Sequence, residues 1–318
     1  MRSRLWDTVQ SESPRSAAEP SRLLLGGTFV FICLIWGSSW AVVRIGLATM
    51  PVLTSAGLRF VLAALLLVGL IVVRRLSLPR DAAFWRLSAF LGMVAVTIPF
   101  GLIYWGQQTV DSGLSSVLFA TFPLWVAAMG RFALPDERLT AVAWFGIVLG
   151  FVGIVLISRA SIRVEGVGVL WSMSAIVLSA GLQAAALIAV RKYGRAYDAE
   201  LLNIVPMTMG AVILSAGGLA FEHVAPAMFT GPALLTIFYL ALFGTVTTFV
   251  LYYWLAKYVE AVYLSLSAFV TPLVAVLLGI VFLGEALTLG MMAGGALVLA
   301  GILLVTKFAT PAHATQEG

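Results

Sequence analysis

The sequence predicts an all-α integral membrane protein, with ten transmembrane helices arranged as two inverted five-helix repeats around a central cavity. Three observations predict it. Of 318 residues, 61% are hydrophobic and only 10% charged, with a mean hydropathy of +1.06, against about 25% charged residues in a typical soluble domain. The apolar residues fall into runs long enough to cross a hydrocarbon core, which takes about 20 residues each. The two halves of the chain also carry the same landmark residues in the same order. A β-barrel is excluded, because its strands would alternate polar and apolar residues over about ten positions.

Charged residues, prolines and glycines mark off the spans in turn. The first, 23–45, follows a polar lead, and 52–73 runs from Pro51 to the pair Arg74–Arg75. Arg86 precedes 87–106, Asp111 precedes 112–133, and 140–158 lies between "DER" and Arg159. The second half reads 168–190, 201–221, 232–255, 261–283 and 288–307, bounded by Arg191, Glu222, Lys257, Glu285 and Lys307. The links are short, so sequential helices form antiparallel hairpins. Residues 1–22 and 308–318 read as tails, 23–158 as the first repeat and 168–307 as the second. The polar lead is long for a signal-peptide n-region and no small-residue cleavage site follows, so a retained first helix is expected.

Lys and Arg residues set the orientation. Fifteen fall on the side of the termini and three (Arg44, Arg159 and Arg163) on the other, with Arg59 inside a span. Both termini are therefore expected in the cytoplasm, with the chain in a cell inner membrane.

The internal repeat is carried by specific residues. "YWGQQTVDSGLSSVLFATFPLW" (104–125) parallels "YWLAKYVEAVYLSLSAFVTPLV" (253–274), matching Tyr104, Trp105 and Pro123 to Tyr253, Trp254 and Pro272. Downstream, Glu137, Thr140, Gly146 and Gly153 match Glu285, Thr288, Gly294 and Gly301. Each repeat holds an odd number of spans, so the second lies upside down in the membrane. Inverted repeats around a midplane site are an architecture of secondary transporters, which work by alternating access.

These residues resemble the EamA-type family of the drug/metabolite transporter superfamily. The resemblance rests on "WGSSW" (36–40) in the first helix, Arg59 in the second, and a proline-to-"E-x-L-T" hairpin closing each half. It covers about residues 23–307 and implies a ten-helix exporter of small metabolites, with amino-acid exporters prominent among its members. The second repeat departs from the pattern: "WSMSA" (171–175) stands for "WGSSW", and no arginine matches Arg59.

Arg59 is the most conspicuous candidate. A charge inside a span is costly and is a functional hypothesis by default. It serves either as counter-ion to a substrate carboxylate, or reaches the outer interface or helix-end carbonyls. Polar stripes mark further cavity candidates: Thr97, Gly101, Tyr104 and Gln108; Thr245, Thr248 and Tyr252; Ser267 and Thr271; Ser172, Ser179 and Gln183. Trp36 and Trp40 share a face of the first helix, and Trp171 stands where Trp36 would fall in the second repeat. Such rings either line the cavity and stack on substrates or mark the interface. Pro99, Pro123, Pro206 and Pro272 interrupt apolar helices, and Pro123 with Pro272 form the matched hinge pair. Glu137 and Glu285 are expected at helix boundaries, where a negative charge suits a helix N-terminus.

No nucleotide-binding loop and no HExxH pair is present. The chain has one cysteine, Cys33, and two separated histidines, His223 and His313. No metal site, cofactor or enzymatic activity is expected. The partners called for are a small-molecule substrate and the lipid bilayer, not nucleic acid, and a monomer is compatible with the architecture. The function expected is secondary export of small metabolites, amino acids foremost and aromatic or hydrophobic ones among them. The alternatives are export of cationic or aromatic drugs, and a passive channel. With all acids in loops, tails or helix ends, facilitated diffusion or exchange is expected, or a proton path not built on a buried acid.

Overall fold

The computed structural model describes residues 20–134, 139–158, 167–274 and 289–308. Among them run ten helical segments: α1 (Arg22–Leu47), α2 (Val52–Val73), α3 (Ala82–Gly106), α4 (Ser112–Ala133), α5 (Ala141–Ser158), α6 (Val167–Tyr193), α7 (Ala199–Phe221), α8 (Gly231–Tyr258), α9 (Ala261–Val274) and α10 (Leu289–Phe308). Seven are long and apolar enough to cross a membrane, and α5, α9 and α10 are shorter apolar helices. Large apolar side chains such as Leu23, Leu65, Val72 and Leu219 are exposed on the outside, where lipid rather than water suits them. Glu137 and Glu285 lie outside the described residues.

The ends of the helices are set by local chemistry. Ser21, Asp81 and Thr230 each accept a hydrogen bond from the backbone N–H three residues on, satisfying a donor that the helix itself leaves open. The Asp81 carboxyl is held below its usual range, first by the Phe84 N–H and then by the Tyr197 hydroxyl. Pro51, at the start of α2, offers no such side chain. Glu222, just past the end of α7, replaces it: its carboxylate accepts from the N–H groups of Leu53 and Thr54 at 2.7 and 2.8 Å, and from the Thr54 hydroxyl. Arg75 closes α2 in the left-handed region at φ 53°, with Leu76 N–H reaching back to the Ile71 carbonyl.

Corresponding helices of the two repeats pair closely. In the α2–α7 pair, a Cβ on Gly57 would sit 2.8 Å from the backbone nitrogen of Ser215, and one on Gly218 3.0 Å from that of Thr54. Glu222 ties this pair at one face and an Arg74–Glu200 ion pair ties it at the face of the termini. In the α5–α10 pair the backbones touch, with Gly146 against Gly301 and Gly153 against Gly294. Between these pairs stand two groups of three helices. Helix α1 packs on α8 through Gly46 and Thr236, and on α9 through Gly37, Thr271 and Val274. Helix α6 packs on α3 through Ile176 and Gly106, and on α4 through Gly181 and Trp125.

Four helices of the central groups are irregular, in matched pairs. Helices α3 and α8 each contain a six-residue π-helical turn, Gly92–Thr97 and Leu242–Thr247. At its end the N–H of Ile98 or Thr248 reaches five residues back, to Met93 or Phe243. Pro99 follows the first of these turns directly. Helix α4 breaks at Ala120–Thr121, just before Pro123, and α9 turns at Leu266, ahead of Pro272. Pro272 has no N–H for the Ala268 carbonyl, which accepts the Thr271 hydroxyl instead.

The α2–α7 contact gives a prediction. Gly57→Ala should lower the thermal unfolding temperature in detergent, at a cost of about 1–3 kcal/mol for overpacking. Gly69→Ala, on the same helix with open space around it, should be neutral or stabilising. Equal effects of the two substitutions would show that the close approach is not what matters.

Candidate functional site: a cavity with one buried cation

Side chains from both repeats line a cavity of about 100 Å³. Helix α1 supplies Trp36, Ser39 and Trp40; α2 supplies Arg59; α3 supplies Ala95, Phe100 and Ile103. The kinked α4 contributes Phe119 and Phe122, α6 contributes Gln183, and the wall closes with Gly244, Phe249, Tyr252 and Tyr253 of α8 and Ser267 and Thr271 of α9. Most of this wall is aromatic or aliphatic. Among the described residues that line it, Arg59 is the only one with a formal charge.

Arg59 is 3% exposed, so it does not extend to the membrane interface. Its guanidinium is held by α8 and α3. Nε donates to the Thr245 hydroxyl at 2.7 Å, Nη2 to the Gly244 carbonyl at 3.0 Å, and Nη1 to the Tyr104 hydroxyl at 3.3 Å. Thr245 donates its own hydroxyl hydrogen bond to the Leu240 carbonyl at 2.7 Å, five residues back and just ahead of the π turn. The face of Phe100 lies 4.7 Å from the guanidinium carbon, a distance at which the ring quadrupole attracts a cation. No carboxylate pairs with Arg59 among the described residues. A guanidinium has five N–H donors, and the three bonds leave two of them for the cavity.

The other polar groups differ in how far they are already committed. Trp36 donates from Nε1 to the Thr248 hydroxyl at 3.0 Å, and its ring packs on Tyr252 and Phe249 at 4.9 and 5.7 Å between centroids. Trp40 packs on Phe119. The Tyr252 hydroxyl, by contrast, is buried in the wall with no hydrogen bond of good geometry, and the Ser267 hydroxyl is the polar group beside it, so a ligand offering a better partner would gain there.

Seven residues expected from sequence at the cavity (Trp36, Trp40, Arg59, Gln183, Tyr252, Ser267 and Thr271) lie on its wall. Tyr104 and Thr248 stand one layer behind, fixing Arg59 and Trp36. Two do not reach it. Trp171 is 67% exposed on the outer side of α6, because the α6 face that meets α3 carries Ser172 and Ile176. Gln108 is exposed beyond the end of α3 at Gly106, so the helical spacing from Tyr104 does not extend to it; its neighbour Gln107 is the buried one. The phenylalanines of the wall went unremarked in the sequence, where they do not stand out from an apolar background. The Gly244 carbonyl had no sequence signal at all, since it is presented by a backbone irregularity.

The model of the EamA-like transporter family matches this chain twice, over residues 24–159 and 170–307. An Escherichia coli K12 protein described as an uncharacterized inner membrane transporter, YedA, is 30% identical over 301 residues, covering 91% of this chain and 94% of its own. The uncharacterized transporter YoaV of Bacillus subtilis is 25% identical, over 90% of this chain and 97% of its own. A protein of known crystal structure superposes with a TM-score of 0.76 over 91% of this chain and 98% of its own, at 19% identity, a likeness of fold.

The Tyr252 hydroxyl provides a test. Tyr252→Phe should change the stability of the empty protein by no more than about 1 kcal/mol, because the hydroxyl has only a poor bond, to Ser267, to lose. It should at the same time slow transport in proteoliposomes. A fall in unfolding temperature with unchanged transport would assign the hydroxyl a structural role.

Proposed function

The chain belongs to the EamA-like transporter family, and from that premise we propose that it exports small carboxylate-bearing metabolites, amino acids with aromatic or apolar side chains foremost, by alternating access. The observation that carries this is Arg59: a guanidinium with no acidic partner among the described residues, set in an aromatic wall with two donors uncommitted. A carboxylate reaching it would gain charge-assisted hydrogen bonds in a site of low dielectric, where such bonds are strong. Aromatic rings around the rest of the cavity suit an apolar or aromatic side chain. A cation entering the same space would meet Arg59 as a like charge, which argues against the cationic drugs.

At about 100 Å³ the cavity is smaller than the 300–1,000 Å³ of typical ligand pockets, so it must widen to load a metabolite. We place the protein in the bacterial inner membrane with both termini in the cytoplasm, on the strength of the basic residues at that face. Since no acid stands on the described cavity wall, transport runs as facilitated diffusion or exchange. Proton flux in proteoliposomes at a fixed ratio to substrate would overturn this mode.

Counterflow of radiolabelled amino acids and of their decarboxylated amines tests the substrate. Carboxylates should be transported with saturation and amines should not. Arg59→Gln should weaken carboxylate transport about 10- to 100-fold, the equivalent of one charge-assisted hydrogen bond. Normal carboxylate transport by a folded Arg59→Gln protein would refute the assignment, and non-saturable flux without counterflow would point to a channel.

A further inference from the structure

Two arginines outside the cavity occupy matching places in the inverted repeats and do the same thing on opposite faces. Arg44 is in the last turn of α1, the first helix of its repeat. Its Nη1 donates to the carbonyls of Gln107 and Gln108, just past the end of α3, and its Nη2 lies 3.5 Å from Asp111. Arg191 is in the last turn of α6, the first helix of the second repeat. Its Nη1 donates to the carbonyls of Ala256 and Lys257, at 2.8 and 3.2 Å, in the last turn of α8. Each arginine thus holds the carbonyl end of the third helix of its own repeat, where the helix dipole adds to the attraction.

What these bonds span gives them a function. Helices α1, α8 and α9 form one group and α3, α4 and α6 the other, and the cavity lies between them. Arg44 crosses from the first group to the second at the face opposite the termini. Arg191 crosses from the second group to the first at the face of the termini. We propose that Arg44 and Arg191 are the two gate latches of the transport cycle, released alternately, so that loss of one opens the cavity to that face alone. Both sets of bonds are made in this structure. Arg44 has 41% of its side chain exposed and Arg191 is 7% exposed, so each sits at the edge of the bundle or just inside it, away from the substrate.

The inference needs transport by alternating access but not a particular substrate, and its test uses none. Ala186, on the cavity wall, is changed to cysteine in a Cys33→Ser background, and labelling by a membrane-impermeant maleimide is timed from each side. Spheroplasts expose the face opposite the termini and everted vesicles the face of the termini, with a protease-accessible C-terminal tag confirming which is which. Arg44→Gln should speed labelling from the Arg44 side about tenfold and slow it from the other. Arg191→Gln should do the reverse. Arg→Lys variants, which keep the charge with fewer donors, should shift labelling in the same directions by less, and they decide the matter if a Gln variant does not fold. Equal labelling from both sides in both variants, or acceleration from the same side by both, would overturn the proposal. Misfolding cannot produce opposite effects from the two.

Discussion

A guanidinium buried in an apolar bundle has no water to turn to, and the centre of this structure is arranged around that constraint. Arg59 must find acceptors among groups that regular helices keep for themselves. The π turn of α8 supplies them: the Gly244 carbonyl and the Thr245 hydroxyl both face Arg59. The hydroxyl of Tyr104 and the ring of Phe100 complete the surround from α3. A regular α8 would offer Arg59 fewer acceptors, and the cost of burying the charge would rise by several kcal/mol. The irregular helix, the charge and the cavity are therefore one feature.

The repeat makes the asymmetry of this feature visible. Helix α3 carries the matching π turn, yet α7 places no arginine against it; Met209 lies there instead, its sulfur 2.5 Å from where a Cβ on Gly92 would be. The first helices also differ: in the register that matches Arg44 to Arg191, Trp36 of α1 corresponds to Gln183 of α6, and both stand on the cavity wall. Backbone architecture is shared between the halves and both line the cavity, while the one formal charge on the described wall comes from the first.

The spans are legible in the sequence because each must hold about 20 apolar residues between polar ends; nine of the ten fall within about five residues of a described helix, and the other, 261–283, begins at Ala261 with residues 275–283 outside the described residues. The rotation of each helix about its axis was not. In a soluble protein an apolar stripe marks the inner face, but lipid is as apolar as a protein interior, so helices such as α5 and α6 carry no such stripe. That is why Trp171 was placed inward by analogy with Trp36, and why Phe100 and Phe119 drew no notice. Polar side chains are the exception, since hydrocarbon penalises them, and Arg59, Gln183, Ser267 and Thr271 all lie on the cavity wall as their chemistry requires. Gln108 failed for a different reason, because a helix end shifts the spacing argument by a residue.

Symmetry in the gates and asymmetry in the site have a joint consequence. If Arg44 and Arg191 close opposite faces by bonds to the same helix end, the two latches still differ in burial, Arg44 being 41% exposed along its side chain and Arg191 7%. If, as proposed, Arg59 holds the substrate carboxylate in both open states, no described residue of the wall adds a second ionisable group to distinguish them. On that proposal the binding site itself sets no direction. A binding site with equal affinity for substrate in two states shifts neither, so net export follows the gradient of the substrate, or of whatever exchanges for it, and the inward and outward routes differ only in which latch must open.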